Sequence, residues 1–167
     1  MGLLTAGEIL SMVPQQRPMR FIDDILEVDE EHILGAYTWI PEDCSGYDSG
    51  GRLAPPFKLI EMAAQVGSVA WCIYHMALSA PVNEIRGLLG VLAQVDRFQI
   101  KNPVYAGERT LCLGRFFEEG YFRGRKIVSE VVMKLSGGPR DGEEILSGVV
   151  SGMWVPRPES GRAVDYP

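Results

Sequence analysis

The run Gly46-Tyr47-Asp48-Ser49-Gly50-Gly51-Arg52-Leu53-Ala54-Pro55-Pro56-Phe57-Lys58-Leu59-Ile60-Glu61-Met62-Ala63-Ala64-Gln65 decides how this chain folds. It reads as a glycine-bearing loop, a double proline and the start of a long helix. Proline suits a first helical turn, where its missing N–H has no intrahelical partner in any case. Beyond it, Ile60, Met62, Val66, Val69, Trp71, Ile73, Tyr74 and Met76 leave no polar face. A helix that is apolar all round is a buried one. Glu61 and Gln65 are one turn apart and project from the same side. A carboxyl and an amide on a buried helix point to chemistry or ligand binding. The plainer reading of Glu61 is an acid favoured by the helix dipole.

Outward from this helix, Thr5 and Glu8 have capping-box spacing and announce a short helix that stops before Pro14. Met19 to Val28 and His32 to Ile40 read as two strands joined by the acidic turn Asp29-Glu30-Glu31. The loop from Pro41 to Ala54 follows, and the helix ends near Pro81. Strand patterns then resume over Gly87 to Ile100, Arg109 to Glu118, Tyr121 to Leu135 and Ile145 to Val155, with a hairpin expected about Glu119-Gly120. This order predicts an α+β fold in which a curved antiparallel sheet, a hairpin plus a meander, wraps one long central helix. An open sheet with the helix layered on one face is the alternative. Residues 1–155 are expected to form a single domain, and 156–167 a flexible tail.

The chain has 167 residues, 46% hydrophobic and 23% charged, the composition of an ordinary globular domain. A net charge of −6 argues against nucleic acid as a partner. The three cysteines, Cys44, Cys72 and Cys112, make no metal-ligand or redox pattern, so a reduced, cytoplasmic setting is expected, with no metal and no cofactor. No basic segment leads into an apolar run at the N-terminus, and Glu61, Gln65 and His75 interrupt the one stretch of bilayer length; neither a leader nor a membrane span is expected.

With its residues set out, the chain resembles the hotdog-fold β-hydroxyacyl-acyl-carrier-protein dehydratases of the FabA/FabZ type, over about residues 8 to 155. The segment Val13-Pro14-Gln15-Gln16-Arg17-Pro18-Met19-Arg20-Phe21-Ile22-Asp23 is similar to that family's stretch of two prolines and an aspartate before the first strand. Gly46 through Gln65 is similar to its active-site loop and helix start, where Gly-His-Phe-Pro-Gly leads to Pro-Gly and then Glu-x-x-x-Gln. The resemblance places Glu61 on the catalytic glutamate and Gln65 on the active-site glutamine. The stretch Asp48, Pro55, Glu61-Met62-Ala63-Ala64-Gln65, with Gly87-Leu88-Leu89-Gly90-Val91, also resembles a divergent branch from aryl-polyene and related lipid gene clusters.

Three positions depart from the pattern. Tyr47 stands at the catalytic histidine, Pro56 at the glycine whose N–H polarises the thioester carbonyl, and Gln15 at a further histidine. Tyrosine titrates near ~10 and is a poor base at neutral pH; proline has no N–H to give. His75 lies roughly 21 Å along the helix from Glu61, and His32 falls in the acidic turn, so neither replaces the base. Asp48 is the acid nearest the vacancy, although aspartate before serine and glycine also makes a turn.

The resemblance implies an acyl thioester on an acyl carrier protein or coenzyme A. It also implies a homodimer or larger hotdog oligomer in which the loop of one subunit meets the helix of the other. Glu61, Tyr47 and Asp48 are the candidate catalytic residues; Gln65, Phe57, Pro55 and Gly50 are the candidate substrate-binding residues. Two other readings stand beside a dehydratase: a thioesterase using Glu61, and a silent subunit that binds acyl carriers. Arg115, Arg123, Arg125 and Lys126 read as a solvated sheet face or as a basic rim for an acidic carrier.

Overall fold

A computed structural model of the chain describes residues 4–116 and 120–157. The capping box forms: Thr5 Oγ1 accepts the Glu8 N–H while the Glu8 carboxylate accepts the Thr5 N–H, and α1 (Ala6–Met12) follows. Strands β1 (Asp24–Val28) and β2 (His32–Thr38) form the hairpin about the acidic turn. A short α2 (Pro41–Cys44) opens the loop. The central helix then runs without a break through α3 (Pro56–Ala64), a wider π-helical segment (Gln65–Ala70) and α4 (Trp71–Ala77). After α5 (Val82–Arg86) come β3 (Leu88–Ile100), β4 (Arg109–Arg115), β5 (Tyr121–Arg123), β6 (Lys126–Ser136) and β7 (Glu144–Pro156).

All the strands join one antiparallel sheet in the order β1-β2-β4-β6-β7-β3, with β5 pairing on β6. Alternation sets the face that the sheet turns to the helix: Ile127, Ser129, Val131, Met133 and Leu135 of β6 are buried toward it, while Glu130 and Lys134 face outward. The helix sits close to the sheet because glycines floor its seat. A Cβ on Gly67 would lie 2.6 Å from Val131, and one on Gly114 would lie 3.1 Å from the Gly67 backbone. The π segment breaks the usual i−4 bonding, and hydroxyls take up the slack. Ser68 donates to the Ala64 carbonyl and Ser129 to the Gly67 carbonyl, both at 2.7 Å.

The long buried helix, the two-stranded opening and the hotdog architecture agree with expectation; three details differ. The strands after the helix are not a simple meander: β3 crosses to the far edge and pairs with β7, because β4 takes the place beside β2 in a continuous register from His32–Arg115 to Thr38–Arg109. Met19 to Asp23 is not strand: the Met19 carbonyl and Phe21 N–H turn inward to Gln65 of the helix, and pairing with β2 begins only where the Asp23 N–H donates to the Ala36 carbonyl. Tyr121 to Leu135 is two strands, with Arg123 paired to Lys126 across a turn where Gly124 takes φ +63°. The expected hairpin at Glu119-Gly120 lies partly outside the described residues, as does most of the tail. Among the described residues no helix is long and apolar enough to cross a membrane.

Candidate active site

Gln65 is fully buried at the first π-helical position, and its amide ties the helix to the segment ahead of β1. Its Oε1 accepts the Phe21 N–H at 2.8 Å, and its Nε2 donates to the Met19 carbonyl at 2.6 Å and to Glu61 Oε1 at 2.8 Å. The backbone decides which way this amide faces. Phe21 N–H needs an acceptor and the Met19 carbonyl a donor, so Gln65 must offer Glu61 an N–H. Glu61 Oε1 is therefore an acceptor, and a proton on this carboxyl belongs on Oε2, the oxygen left for a ligand. Burial pushes the Glu61 carboxyl above the ordinary carboxylate range, and the Gln65 bond offsets part of that rise. The pair is built to hold an orientable, protonatable acid.

In the loop, Asp48 takes the turn role that its sequence context also allowed. Asp48 accepts three backbone N–H groups, from Gly50 (3.0 Å), Arg52 (3.1 Å) and Leu53 (3.1 Å). These bonds, that of Leu53 foremost, hold its carboxyl below the usual range, so its carboxylate is a weakened base committed to shaping the loop. The Gly50 N–H is spent on the same carboxylate. Tyr47 is half exposed and Phe57 more so, while Pro55 is buried with its carbonyl accepting the Lys58 and Leu59 N–H groups. Among the described residues the hydrogen-bond partner of Glu61 is Gln65, and neither Tyr47 nor Asp48 meets Glu61 within one chain.

Residues missed by sequence reasoning join the loop to the helix. Tyr37 donates to the buried Asp43 carboxylate at 2.6 Å, Arg17 reaches the Tyr37 hydroxyl at 3.4 Å, and Lys58 Nζ donates to the Asp43 carbonyl at 2.7 Å. Burial, reinforced by Asp43, raises the Tyr37 phenol well above its ordinary range. Nothing in the run Pro41-Glu42-Asp43-Cys44 distinguishes Asp43 from a turn acid. Cys72 and Cys112 are buried thiols pushed up to about 12, and hence inert. Among the described residues no group of three or more His, Cys, Asp or Glu is placed to hold a metal. His75 packs between Trp71, Tyr74, Phe116 and Phe122, far from this chemistry.

No protein-family model matches the chain. A 3-hydroxyacyl-[acyl-carrier-protein] dehydratase FabZ from Roseiflexus sp. (strain RS-1) is 31% identical over 117 residues, 68% of this chain and 76% of the relative. The chain belongs to the FabZ dehydratase family. Solved structures repeat the hotdog fold of this FabZ-like protein at low identity. The dehydratase heterocomplex ApeI:P from Xenorhabdus doucetiae matches with a TM-score of 0.68 at 16% identity, covering 91% of this chain and 92% of that one. A thioesterase from Haemophilus influenzae matches at 0.62 and 10% identity, covering 96% and 97%. FabZ membership and the hotdog fold make the chain a dehydratase-like protein.

Proposed function

We propose that this FabZ-like protein acts on β-hydroxyacyl thioesters carried on a phosphopantetheine arm, of an acyl carrier protein or coenzyme A, with Glu61 as general acid. The observation that carries this reading is the Gln65 clamp, which leaves Glu61 Oε2 as the proton-bearing oxygen of a carboxyl raised by burial. In the reaction a base takes the α-proton, the β C–O bond breaks, and the Glu61 proton joins the leaving hydroxyl as water. Tyr47 and Asp48 are the loop candidates for assistance; Asp48 acts chiefly through the loop it braces. Phe57 and Pro55 would flank the thioester, and Gly50 would contribute shape rather than its N–H.

Two copies are proposed to complete the site, the loop of one facing Glu61 of the partner subunit. In support, β3 is a thirteen-residue edge strand whose Leu92, Val95 and Ile100 are exposed, a surface suited to another copy of itself. In this reading one domain, residues 1–155, carries both halves, and the three buried free cysteines support a reducing, cytoplasmic setting. The test is elimination of water from a 3-hydroxybutyryl thioester, followed as enoyl thioester formation. Wild-type turnover abolished by Glu61→Gln supports the reading, and unchanged turnover in that variant ends it.

A second reading is favoured by Tyr47 and Pro56. With neither histidine nor helix-start glycine, the chain would serve as a carrier-binding partner of an active hotdog subunit, in the manner of a heterocomplex. Thioester hydrolysis at Glu61 is the third. Wild-type hydrolysis of a saturated acyl thioester without dehydration would select it.

A further inference from the structure

Lys58 stands where the loop meets the start of the central helix, two residues beyond Pro56. Its Nζ donates to the Asp43 carbonyl at 2.7 Å and lies 5.7 Å from the centre of the Phe21 ring, whose own N–H is held by Gln65. The side chain is half-buried, and among the described residues it forms no ion pair. The neighbouring Asp43 carboxylate is already engaged by the Tyr37 hydroxyl and the Ile40 N–H. An ammonium has three donors, and the Asp43 carbonyl takes one of them.

The backbone donors of this first turn are nearly exhausted. Pro56 has none, and the Lys58 and Leu59 N–H groups both go to the Pro55 carbonyl, at 2.9 Å and 3.3 Å. A thioester oxygen that gains negative charge as the α-proton leaves still needs a partner at this corner. We propose that the Lys58 ammonium donates a hydrogen bond to the acyl thioester oxygen, supplying from a side chain what Pro56 withholds from the backbone. The Asp43 carbonyl and the Phe21 face hold the ammonium in place, fixing an otherwise flexible side chain before the ligand arrives. Lys58 thereby makes the loop-and-helix-start half of the site cationic, facing Glu61 of the partner subunit.

This inference rests on the acyl-thioester reading, and the experiment separates the two. Butyryl-coenzyme A labelled with carbon-13 at the carbonyl has no hydroxyl to eliminate, and its bound carbonyl stretch is read by difference infrared spectroscopy. Wild type and Lys58→Arg are expected to lower that frequency. Lys58→Met is expected to return it to the solution value and to weaken binding about 10- to 100-fold, the worth of a hydrogen bond from a charged donor. Circular dichroism verifies each fold. Lys58→Leu, which likewise lacks a donor, replaces Lys58→Met if that variant does not fold. A full shift persisting in a folded neutral variant overturns the proposal and assigns the role to the Phe57 N–H. Failure of the wild type to bind the thioester overturns the acyl-thioester reading and the inference with it, whereas binding without any shift overturns the inference alone.

Discussion

Replacing Gln65 by methionine should both loosen the fold and strengthen the hold of Glu61 on its proton. The two side chains have similar volume, so packing is nearly conserved, but three hydrogen bonds disappear. The Phe21 N–H and Met19 carbonyl lose a partner that is completely buried. An orphaned buried group costs about 1–3 kcal/mol; that applies in full to Phe21 and in part to the more exposed Met19, so the expected loss is roughly 1–6 kcal/mol. The third bond holds the Glu61 carboxyl down against the rise due to burial, so its removal moves that carboxyl further up. Urea denaturation measures the first effect, and carbon-13 NMR titration of labelled glutamate carboxyls measures the second. A loss below about 1 kcal/mol, or a Glu61 titration that does not move upward, would refute the clamp as drawn. It would mean that the segment from Met19 to Phe21 is held by other contacts.

Other expectations follow from the same geometry. His75 is buried among aromatic rings and lowered from 6.5 to about 4, so it folds neutral and protonates more readily when unfolded. Its contribution is present above about pH 6.5 and is lost as pH falls toward 4, by roughly 3 kcal/mol at most; an unfolding series across that window should flatten in His75→Phe. Gly114→Ala places a methyl 3.1 Å from the Gly67 backbone and should cost about 1–3 kcal/mol by overpacking, read as a lower thermal midpoint. Tyr47→His with Pro56→Gly should raise dehydration of a hydroxyacyl thioester. A missing base costs ~100- to 10,000-fold, and that is the main gain expected where Lys58 already serves the thioester oxygen; without Lys58 a restored oxyanion donor would add ~100- to 1,000-fold. No gain in the folded double variant would favour the carrier-binding or hydrolytic readings, and a wild type as fast as other FabZ proteins would show that the substitutions cost nothing.

What could be read in the chain itself was whatever depends on near neighbours. Pro55-Pro56 and the all-round apolar run specify a buried helix; Thr5 and Glu8 specify a capped one; four-residue spacing puts Glu61 and Gln65 on one side. These are local properties, because helical period and capping need only a few consecutive residues. The tertiary structure alone decided what required distant partners. Nothing in the β3 pattern says that it pairs with β7, since an alternating strand fits any neighbour of the right register. Asp48 has near partners, Gly50, Arg52 and Leu53, yet it reads as a base or a turn until the path of an irregular loop, which has no fixed period, closes their three N–H groups on it. Asp43 lies six residues from Tyr37 and fifteen from Lys58, too far for helical spacing to pair them, and only folding brings these three to one corner. Even the direction of the Gln65 amide, and with it the oxygen on which Glu61 can hold a proton, is set by backbone groups at Met19 and Phe21, more than forty residues away.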